Sequence, residues 1–214
     1  MRIAVINETS AADRNADILH ALEGRGHEIV NCGMRKGGEE PELSYIHTGL
    51  IAALVLAMGK VDFVVGGCGT GQGFLNAVLA YPGVSCGHIL TPLDAWLFAR
   101  INDGNCVSLA LNQGYGWAAG VNLSLIFDEL FTSERASGFP ESRSEPQARS
   151  RELLGRVSAT THRSMADIVS TLTDEAILPA LLYPGIRGIL LGTTSSNRET
   201  DAELTRAIET RLDR

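Results

Sequence analysis

The chain has 214 residues, 44% of them hydrophobic and 20% charged, and its formal net charge is −7 at pH 7. These values are typical of a globular protein, and they argue against a disordered chain and against nucleic-acid binding, which needs a basic face. No apolar run reaches the roughly 20 residues of a membrane span, and the first residues predict a strand rather than a signal peptide, so we expect a cytoplasmic protein without membrane partners.

Short apolar runs alternate with helical patterns over the first 132 residues. Strands are predicted at residues 2–7, 28–31, 62–66, 84–89 and 106–111. Helices are predicted at 12–22 and 44–59, from the glycine-rich loop at 67–73 to residue 81, from Thr91 onward, and at 117–131. Strands that alternate with helices lie parallel and are joined by right-handed crossovers. The pattern therefore predicts a Rossmann-like three-layer α/β/α fold with a five-stranded parallel sheet, as one domain of residues 1–132.

The pattern changes beyond residue 132, and residues 133–214 are predicted to form a mainly helical extension, with helices near 147–175 and 198–212. The stretch 178–191 is apolar but interrupted by prolines, so we expect it to pack on the core or on a neighbouring subunit. Residues 133–164 carry 6 basic and 4 acidic side chains in an otherwise acidic chain. This arginine-rich segment is either a solvated helix face or an anion-binding patch.

The glycine-rich loop Gly67-Cys68-Gly69-Thr70-Gly71-Gln72-Gly73 is the leading candidate for a ligand site. It follows a predicted strand and precedes a predicted helix, at the sheet edge where open α/β folds place ligands. Glycines let the backbone approach a ligand, and a helix start offers free N–H groups to a phosphate, carboxylate or enediolate oxygen. Gln72 occupies the third glycine position of a dinucleotide motif, and no lysine follows Lys60, which disfavours NAD and ATP.

The four cysteines contain no CxxC pair, so reduced thiols are expected rather than a zinc ribbon or a thioredoxin motif. Cys32, Cys86 and Cys106 are interpreted as small buried hydrophobic residues. Cys68 is predicted to stand at a helix N-terminus, where a thiol ionises more readily. It is therefore the candidate base or nucleophile.

Three features together resemble the ribose-5-phosphate isomerase B and galactose-6-phosphate isomerase family over residues 1–132. They are Cys68-Gly69-Thr70-Gly71 after an apolar strand, Asn102-Asp103-Gly104-Asn105 before the next strand, and Tyr45 on the preceding helix. The resemblance implies interconversion of aldose and ketose phosphates through a cis-enediol, without metal or cofactor, by homodimers or homotetramers.

The resemblance also assigns roles to the glycine-rich loop. By it, Cys68 transfers the proton between the two carbons. Thr70 and the neighbouring backbone bind the enediolate oxygens, as an oxyanion site should; the substrate-binding positions of this loop are Gly69, Gly71, Gln72 and Gly73.

The chain departs from the family at three polar positions. Glu8-Thr9 replaces Asp-His after the first strand, Ile101 replaces the histidine that opens the sugar ring, and Asn112 replaces a phosphate-binding arginine. His88, at the end of the fourth strand, is the preferred substitute for ring opening or orientation. Candidate substrate-binding side chains outside the loop are Glu8, Thr9, Asn102, Asn112, Arg143 and Arg149, with Arg151 as a further possible phosphate ligand.

Two functions remain open at this point. The first is an aldose–ketose isomerase for a sugar phosphate other than the usual pentose; a short linear substrate needs no ring-opening histidine. The second is a non-catalytic relative that binds a sugar or sugar phosphate. Retention of Cys68 and Thr70 favours the enzyme. If the substrate has no phosphate, a polyol or sugar acid held by Glu8, Asn76, Asn102 and Asn112 is expected.

Overall fold

The computed structural model describes residues 1–192 and 202–213. Within them five strands form one parallel sheet, in the order β2-β1-β3-β5-β4. The strands are β1 (Arg2–Asn7), β2 (Glu28–Asn31), β3 (Phe63–Cys68), β4 (Cys86–Ile89) and β5 (Cys106–Ala110). The predicted Rossmann-like fold with a five-stranded parallel sheet is confirmed.

Helices connect the strands and cover both faces of the sheet. In chain order they are a 3₁₀ helix (Thr9–Arg14), α1 (Asn15–Leu22), α2 (Tyr45–Ala57), α3 (Gln72–Val78), α4 (Pro92–Leu97), a π-helical turn (Phe98–Asn102) and α5 (Ala119–Thr132). Helices α2 and α3 pack together on one face, and α1, α4 and α5 pack on the other. This gives the three layers.

Side-chain alternation along β1 shows why the strands are apolar throughout. Ala4 and Ile6 point into the core under α2 and α3, whereas Ile3 and Val5 point into the core under α1 and α5. Because both faces of a parallel sheet are covered, nearly every position of an inner strand is buried. The continuous apolar runs in the sequence follow from that burial.

The chain beyond α5 is helical. It comprises a 3₁₀ turn (Glu141–Arg143), α6 (Ser144–Thr161), α7 (Met165–Thr171), α8 (Asp174–Leu182), α9 (Ile186–Leu191) and α10 (Ala202–Leu212). Helices α8 and α9 pack against α2, and Ile177, Leu181 and Ile186 belong to the same buried cluster as that helix. Helix α6 has no buried residue and packs against the π-helical turn. In the described part of the chain, no helix combines the length and apolar character needed to cross a membrane.

The observed elements differ from the predicted ones at several ends. The predicted helix over 147–175 is divided, because α6 ends at Thr161 and Ser164 caps a new helix, α7. The helix predicted from residue 117 begins at Ala119, and Trp117 is fully exposed before it. The helix predicted over 198–212 is present from Ala202; residues 198–201 lie outside the described residues.

Candidate active site

The carboxyl ends of β1, β3 and β5 meet at one edge of the sheet. Asn7 pairs with Gly67 and Cys68 pairs with Ala110. The segment after β1, the glycine-rich loop after β3 and the segment after β5 are therefore neighbours, as ligand-binding edges of open α/β sheets require. The structure brings these predicted site residues together: Glu8, Thr9, Cys68, Gly69, Thr70, Gly71, Gln72, Gly73, His88 and Asn112.

The third strand runs two residues further than predicted, to Cys68. Gly66 and Gly67 allow this extension, because a side chain on Gly66 would collide with the Phe74 ring and one on Gly67 with the Leu109 carbonyl. Gly66 and Gly67, at the start of the glycine-rich segment, thus let β3 pack closely against α3 and β5. Helix α3 begins only at Gln72, so the expectation that Cys68 stands at a helix N-terminus is wrong.

Cys68 is the last residue of β3 and is 6% exposed. Its carbonyl oxygen accepts hydrogen bonds from the amides of Gly71 (3.2 Å) and Leu111 (3.0 Å), which fix the backbone on both sides. Its side chain belongs to the buried cluster that contains Phe74. The thiol therefore lies at the base of the loop, at the boundary between the apolar core and the open edge.

The other cysteines are packing residues. Burial raises the pKa of the Cys32 thiol to about 12, and the nearby Arg2 offsets only part of this effect. Burial, aided by a hydrogen bond and charge interaction with Cys86, also raises the pKa of Cys106. Cys32 and Cys106 thus stay protonated at neutral pH.

The loop amides expected to bind enediolate oxygens are engaged within the protein. The amide of Gly69 donates to Ser10 Oγ (3.1 Å), that of Gly71 to the Cys68 carbonyl, and that of Gln72 to Thr70 Oγ1 (3.3 Å). Within the described part of the chain, the amide of Thr70 makes no hydrogen bond. The Thr70 amide is therefore free to donate to an oxyanion bound at this loop.

His88 supports the loop from β4, which lies beyond β5 in the sheet. Its Nε2 lies 3.1 Å from the Thr70 carbonyl oxygen and its Nδ1 lies 3.3 Å from Gln72 Nε2. Ser108 Oγ, on β5, donates to the Gly71 carbonyl oxygen at 2.5 Å. Both ring nitrogens of His88 are thus used to hold the loop, rather than pointing free into the cleft.

A carboxylate replaces the usual polar pair after β1. Glu8 is 4% exposed, caps the 3₁₀ helix, and accepts hydrogen bonds from the amide (3.0 Å) and the hydroxyl of Ser10. Asn112 Nδ2 donates to the Ser10 carbonyl oxygen at 2.6 Å. The Thr9 amide donates to the Leu43 carbonyl oxygen (2.9 Å), which joins this segment to the start of α2.

Ser10 is the site residue that sequence reasoning missed. It connects Glu8, Gly69 and Asn112, which belong to three separate segments. The only local feature is an acidic residue two positions before the serine, where its carboxylate can cap the helix that follows. Such a pattern gives no indication of contact with a loop about sixty residues away.

Gly73 and Tyr45 form the wall of the loop on the α2 side. A Cβ atom on Gly73 would lie 2.9 Å from the Tyr45 ring, and Tyr45 itself is 45% exposed at the first turn of α2. Gly73 is therefore required so that the tyrosine ring can lie against α3.

The remaining predicted side chains lie elsewhere in the chain. Asn102 ends the π-helical turn that leads into the amino end of β5, the opposite edge from Cys68. Arg143 is exposed, and Arg149 pairs with Glu145 on α6. Arg151 donates to the Ile101 carbonyl oxygen at 2.7 Å. Within one chain, these residues do not join the glycine-rich loop.

A sequence profile described as Ribose/Galactose Isomerase matches residues 3–134. The chain belongs to this family.

Two solved isomerase structures match the chain over nearly its whole length. A ribose-5-phosphate isomerase from Vibrio parahaemolyticus is 35% identical, with 99% of each chain covered and a TM-score of 0.90. A 4-deoxy-L-threo-5-hexosulose-uronate ketol-isomerase, solved with a tartrate, is 30% identical, with 100% of each chain covered and a TM-score of 0.89. Both share the helical extension.

A third solved structure is shorter. The ribose-5-phosphate isomerase B of Clostridium thermocellum is 22% identical; all of its chain aligns with 76% of this one, with a TM-score of 0.62. At that identity the match describes the fold alone. About a quarter of the present chain has no counterpart there. The helical extension is therefore better compared with the two structures that match over nearly the whole length.

Proposed function

We propose that this protein is an aldose–ketose isomerase that works through a cis-enediolate, with Cys68 as the proton-transfer base. The observation that supports the proposal most strongly is the retention of Cys68 and Thr70 at the carboxyl edge of the sheet in a chain of the ribose/galactose isomerase family. A base and an oxyanion site side by side are what a proton shift between adjacent carbons needs.

The proposed reaction is a proton transfer within one substrate. The Cys68 thiolate removes the proton from the carbon next to the carbonyl, and the C–H electron pair forms the carbon–carbon double bond of the enediolate. The thiol then returns the proton to the other carbon, while the hydroxyl proton moves between the two oxygens. One carbon is oxidised and its neighbour reduced, so the chemistry has no need of a redox cofactor.

The surrounding groups take separate roles in this proposal. The Thr70 amide and hydroxyl stabilise the negative oxygen of the enediolate. Glu8, Ser10 and Asn112 bind substrate hydroxyl groups, because a buried carboxylate, a hydroxyl and an amide offer both acceptors and donors there. His88 positions the loop through its contacts with Thr70 and Gln72, and this is a different role from the ring opening expected from the sequence.

Two substrate classes are supported by specific observations. A sugar phosphate is favoured by the Vibrio parahaemolyticus relative, which is the more similar of the two in sequence. An unphosphorylated sugar acid is favoured by the uronate ketol-isomerase and by Asn112, which stands where the family resemblance expects a phosphate-binding arginine.

A second copy of the chain is part of the proposal. Asn102, Arg143 and Arg149 can contribute to a site only from another subunit, since they lie away from the glycine-rich loop of their own chain. Helix α6 contains no buried residue and exposes Leu153, Leu154 and Val157, as a subunit interface would. A homodimer would cover this face.

The proposed activity is tested by incubating the protein with a panel of tetrose, pentose and hexose phosphates, free sugars and uronates in deuterated water. Aldose–ketose conversion with deuterium uptake at the carbon next to the carbonyl is expected for at least one compound, and Cys68→Ser should abolish the uptake. Binding of a sugar without any exchange would instead identify a non-catalytic relative.

A further inference from the structure

Arg14 is held in a fixed position beside the candidate active site. It is the last residue of the 3₁₀ helix that begins after Glu8. Its guanidinium carbon lies 4.6 Å from the centroid of the Tyr115 ring. The Tyr115 hydroxyl donates to Asp17 Oδ2 at 2.7 Å, which fixes the ring from its far end. An arginine stacked on an anchored aromatic ring loses little further freedom when it binds a ligand.

Apart from its stacking on Tyr115, the Arg14 guanidinium has no partner in the part of the chain that the structure describes. Within residues 1–192 and 202–213, Arg14 makes no hydrogen bond or ion pair, and its buried Nε atom has no partner. Arg25 and Arg211 instead form ion pairs, with Asp128 and Asp174. Arg100 resembles Arg14, since its buried Nε has no partner and its guanidinium stacks on Trp96 (4.8 Å), but it lies in the π-helical turn away from the glycine-rich loop. The buried Nε atom cannot reach a ligand outside the chain, but the Nη groups are not buried and can donate to one.

The acidic residues near Arg14 in the sequence bond to groups other than Arg14. Asp13 accepts a hydrogen bond from the Gly37 amide (3.1 Å), and Asp17 accepts the one from Tyr115. Glu8, at the start of the same 3₁₀ helix, accepts two from Ser10. No ion pair joins any of these carboxylates to Arg14 within the described residues, so the guanidinium is available to a ligand.

The position of Arg14 relative to the loop supports a substrate contact. Ser10 lies about one turn before Arg14 on the 3₁₀ helix and bonds both Gly69 and Asn112. Tyr115 follows Asn112 by a single turn, in which the Tyr115 amide donates to the Asn112 carbonyl oxygen (3.3 Å). Arg14 and Tyr115 thus lie next to the hydrogen bonds of Ser10 with Gly69 and Asn112, which join the glycine-rich loop to the segments after β1 and β5.

We propose that Arg14, held on Tyr115, binds the anionic group of the substrate. This inference rests on the proposed isomerase function and names the end of the substrate that the protein recognises. A planar guanidinium binds a carboxylate or a phosphate through two parallel hydrogen bonds. Arg14 provides the cation that Asn112 does not.

Direct binding measurements test the inference without relying on turnover. The probes are tartrate and inorganic phosphate, titrated into the full-length protein by calorimetry. The variants are Arg14→Met, which keeps the apolar stem over Tyr115, and Arg14→Lys, which keeps the charge but loses the planar fork. Arg206→Ala on α10 is the control, because it removes one exposed arginine from a helix that packs on α7 and α8.

Arg14→Met is expected to weaken the binding of the preferred probe by about ten- to a hundredfold, with Arg14→Lys intermediate and Arg206→Ala unchanged. Tighter binding of tartrate than of phosphate would assign a carboxylate, and the reverse would assign a phosphate. Equal affinity in Arg14→Met and wild type, or no binding of either probe to the wild type, would overturn the inference. Isomerisation with an unchanged KM in Arg14→Met would also overturn it while leaving the role of Cys68 intact.

The converse result separates the two proposals. If the wild type binds tartrate or phosphate through Arg14 but isomerises none of the sugars tested, the anion site stands and the isomerase proposal fails.

Discussion

Gly71 and His88 are packed so closely that a methyl group on Gly71 would lie 2.5 Å from the His88 Nε2 atom. Gly71 also has a left-handed backbone conformation, with φ of +76°. The loop that carries Cys68 and Thr70 can therefore take this shape only with glycine at position 71 and with the His88 ring beside it.

Gly71→Ala is expected to lower kcat by about tenfold or more, because the added methyl group displaces His88 or the loop in addition to the roughly 1–2 kcal/mol of backbone strain. Gly83→Ala is the matched control: its φ is +72° and nothing lies within 4 Å of the added methyl group. Both variants should lose stability in thermal unfolding, and Gly71→Ala should lose more, because only it adds a collision to the backbone strain. Equal kcat in the two would show that the contact between Gly71 and His88 does not affect the loop.

Cys68→Ser is expected to lower kcat by at least about a hundredfold, because a serine hydroxyl ionises far less readily than a thiol near neutral pH. Cys86→Ser on β4 is the control and should retain activity. Steady-state kinetics measure the effect on kcat, and circular dichroism checks that each variant is folded. Full activity in Cys68→Ser would move the base to another residue.

Thr70→Val is expected to slow the chemical step by roughly ten- to a thousandfold, because it removes a hydroxyl that stabilises developing charge. Thr70→Ser keeps the hydroxyl and should retain most of the activity. Steady-state kinetics of both variants, with kcat and KM determined separately, provide the measurement. An increase in KM alone would make Thr70 a residue that binds the ground state of the substrate.

A homodimer with shared sites predicts complementation between inactive variants. Cys68→Ser and Asn102→Ala should each be poorly active as homodimers. After subunit exchange, hybrids with one intact site should restore about a quarter of the wild-type activity, since half of the dimers are hybrids. Failure to recover activity, or sedimentation as a 22.9 kDa monomer at micromolar concentration, would contradict the shared site.

His27 gives a prediction about stability and pH. Its ring packs edge-on against Phe131 (4.9 Å between centroids), and both ring nitrogens are buried without partners. Burial, with smaller effects from the N-terminus and Arg25, lowers the pKa of His27. Because the unfolded chain then binds the proton more readily, the free energy of unfolding should fall as pH decreases below about 6.5.

His27→Phe is therefore expected to increase the free energy of unfolding by about 1 kcal/mol at pH 7, by removing unsatisfied polar atoms, and to flatten its dependence on pH between about 5 and 6.5. The exposed His20 offers the control variant His20→Asn. Urea unfolding at several pH values provides the measurement. An unchanged pH dependence in His27→Phe would assign the effect to other groups.

The amino-acid sequence by itself determined the fold class and the location of the candidate site. Alternating apolar runs and helical patterns are local properties of the sequence. Strands that are apolar at every position indicate a parallel sheet buried on both faces, so the fold class could be predicted from them. Cys68, Thr70 and their glycines form one continuous segment, so their proximity to each other needed no tertiary information.

Only the tertiary structure decided how that segment is held. Whether Cys68 ends a strand or begins a helix depends on the space left by Phe74 and Leu109 beside Gly66 and Gly67, and packing distances of this kind have no local signature. Ser10 bonds to Asn112 across 102 residues of sequence. Contacts such as this and the stacking of Arg14 on Tyr115 arise because parallel strands bring their carboxyl ends to one edge, whatever their separation along the chain.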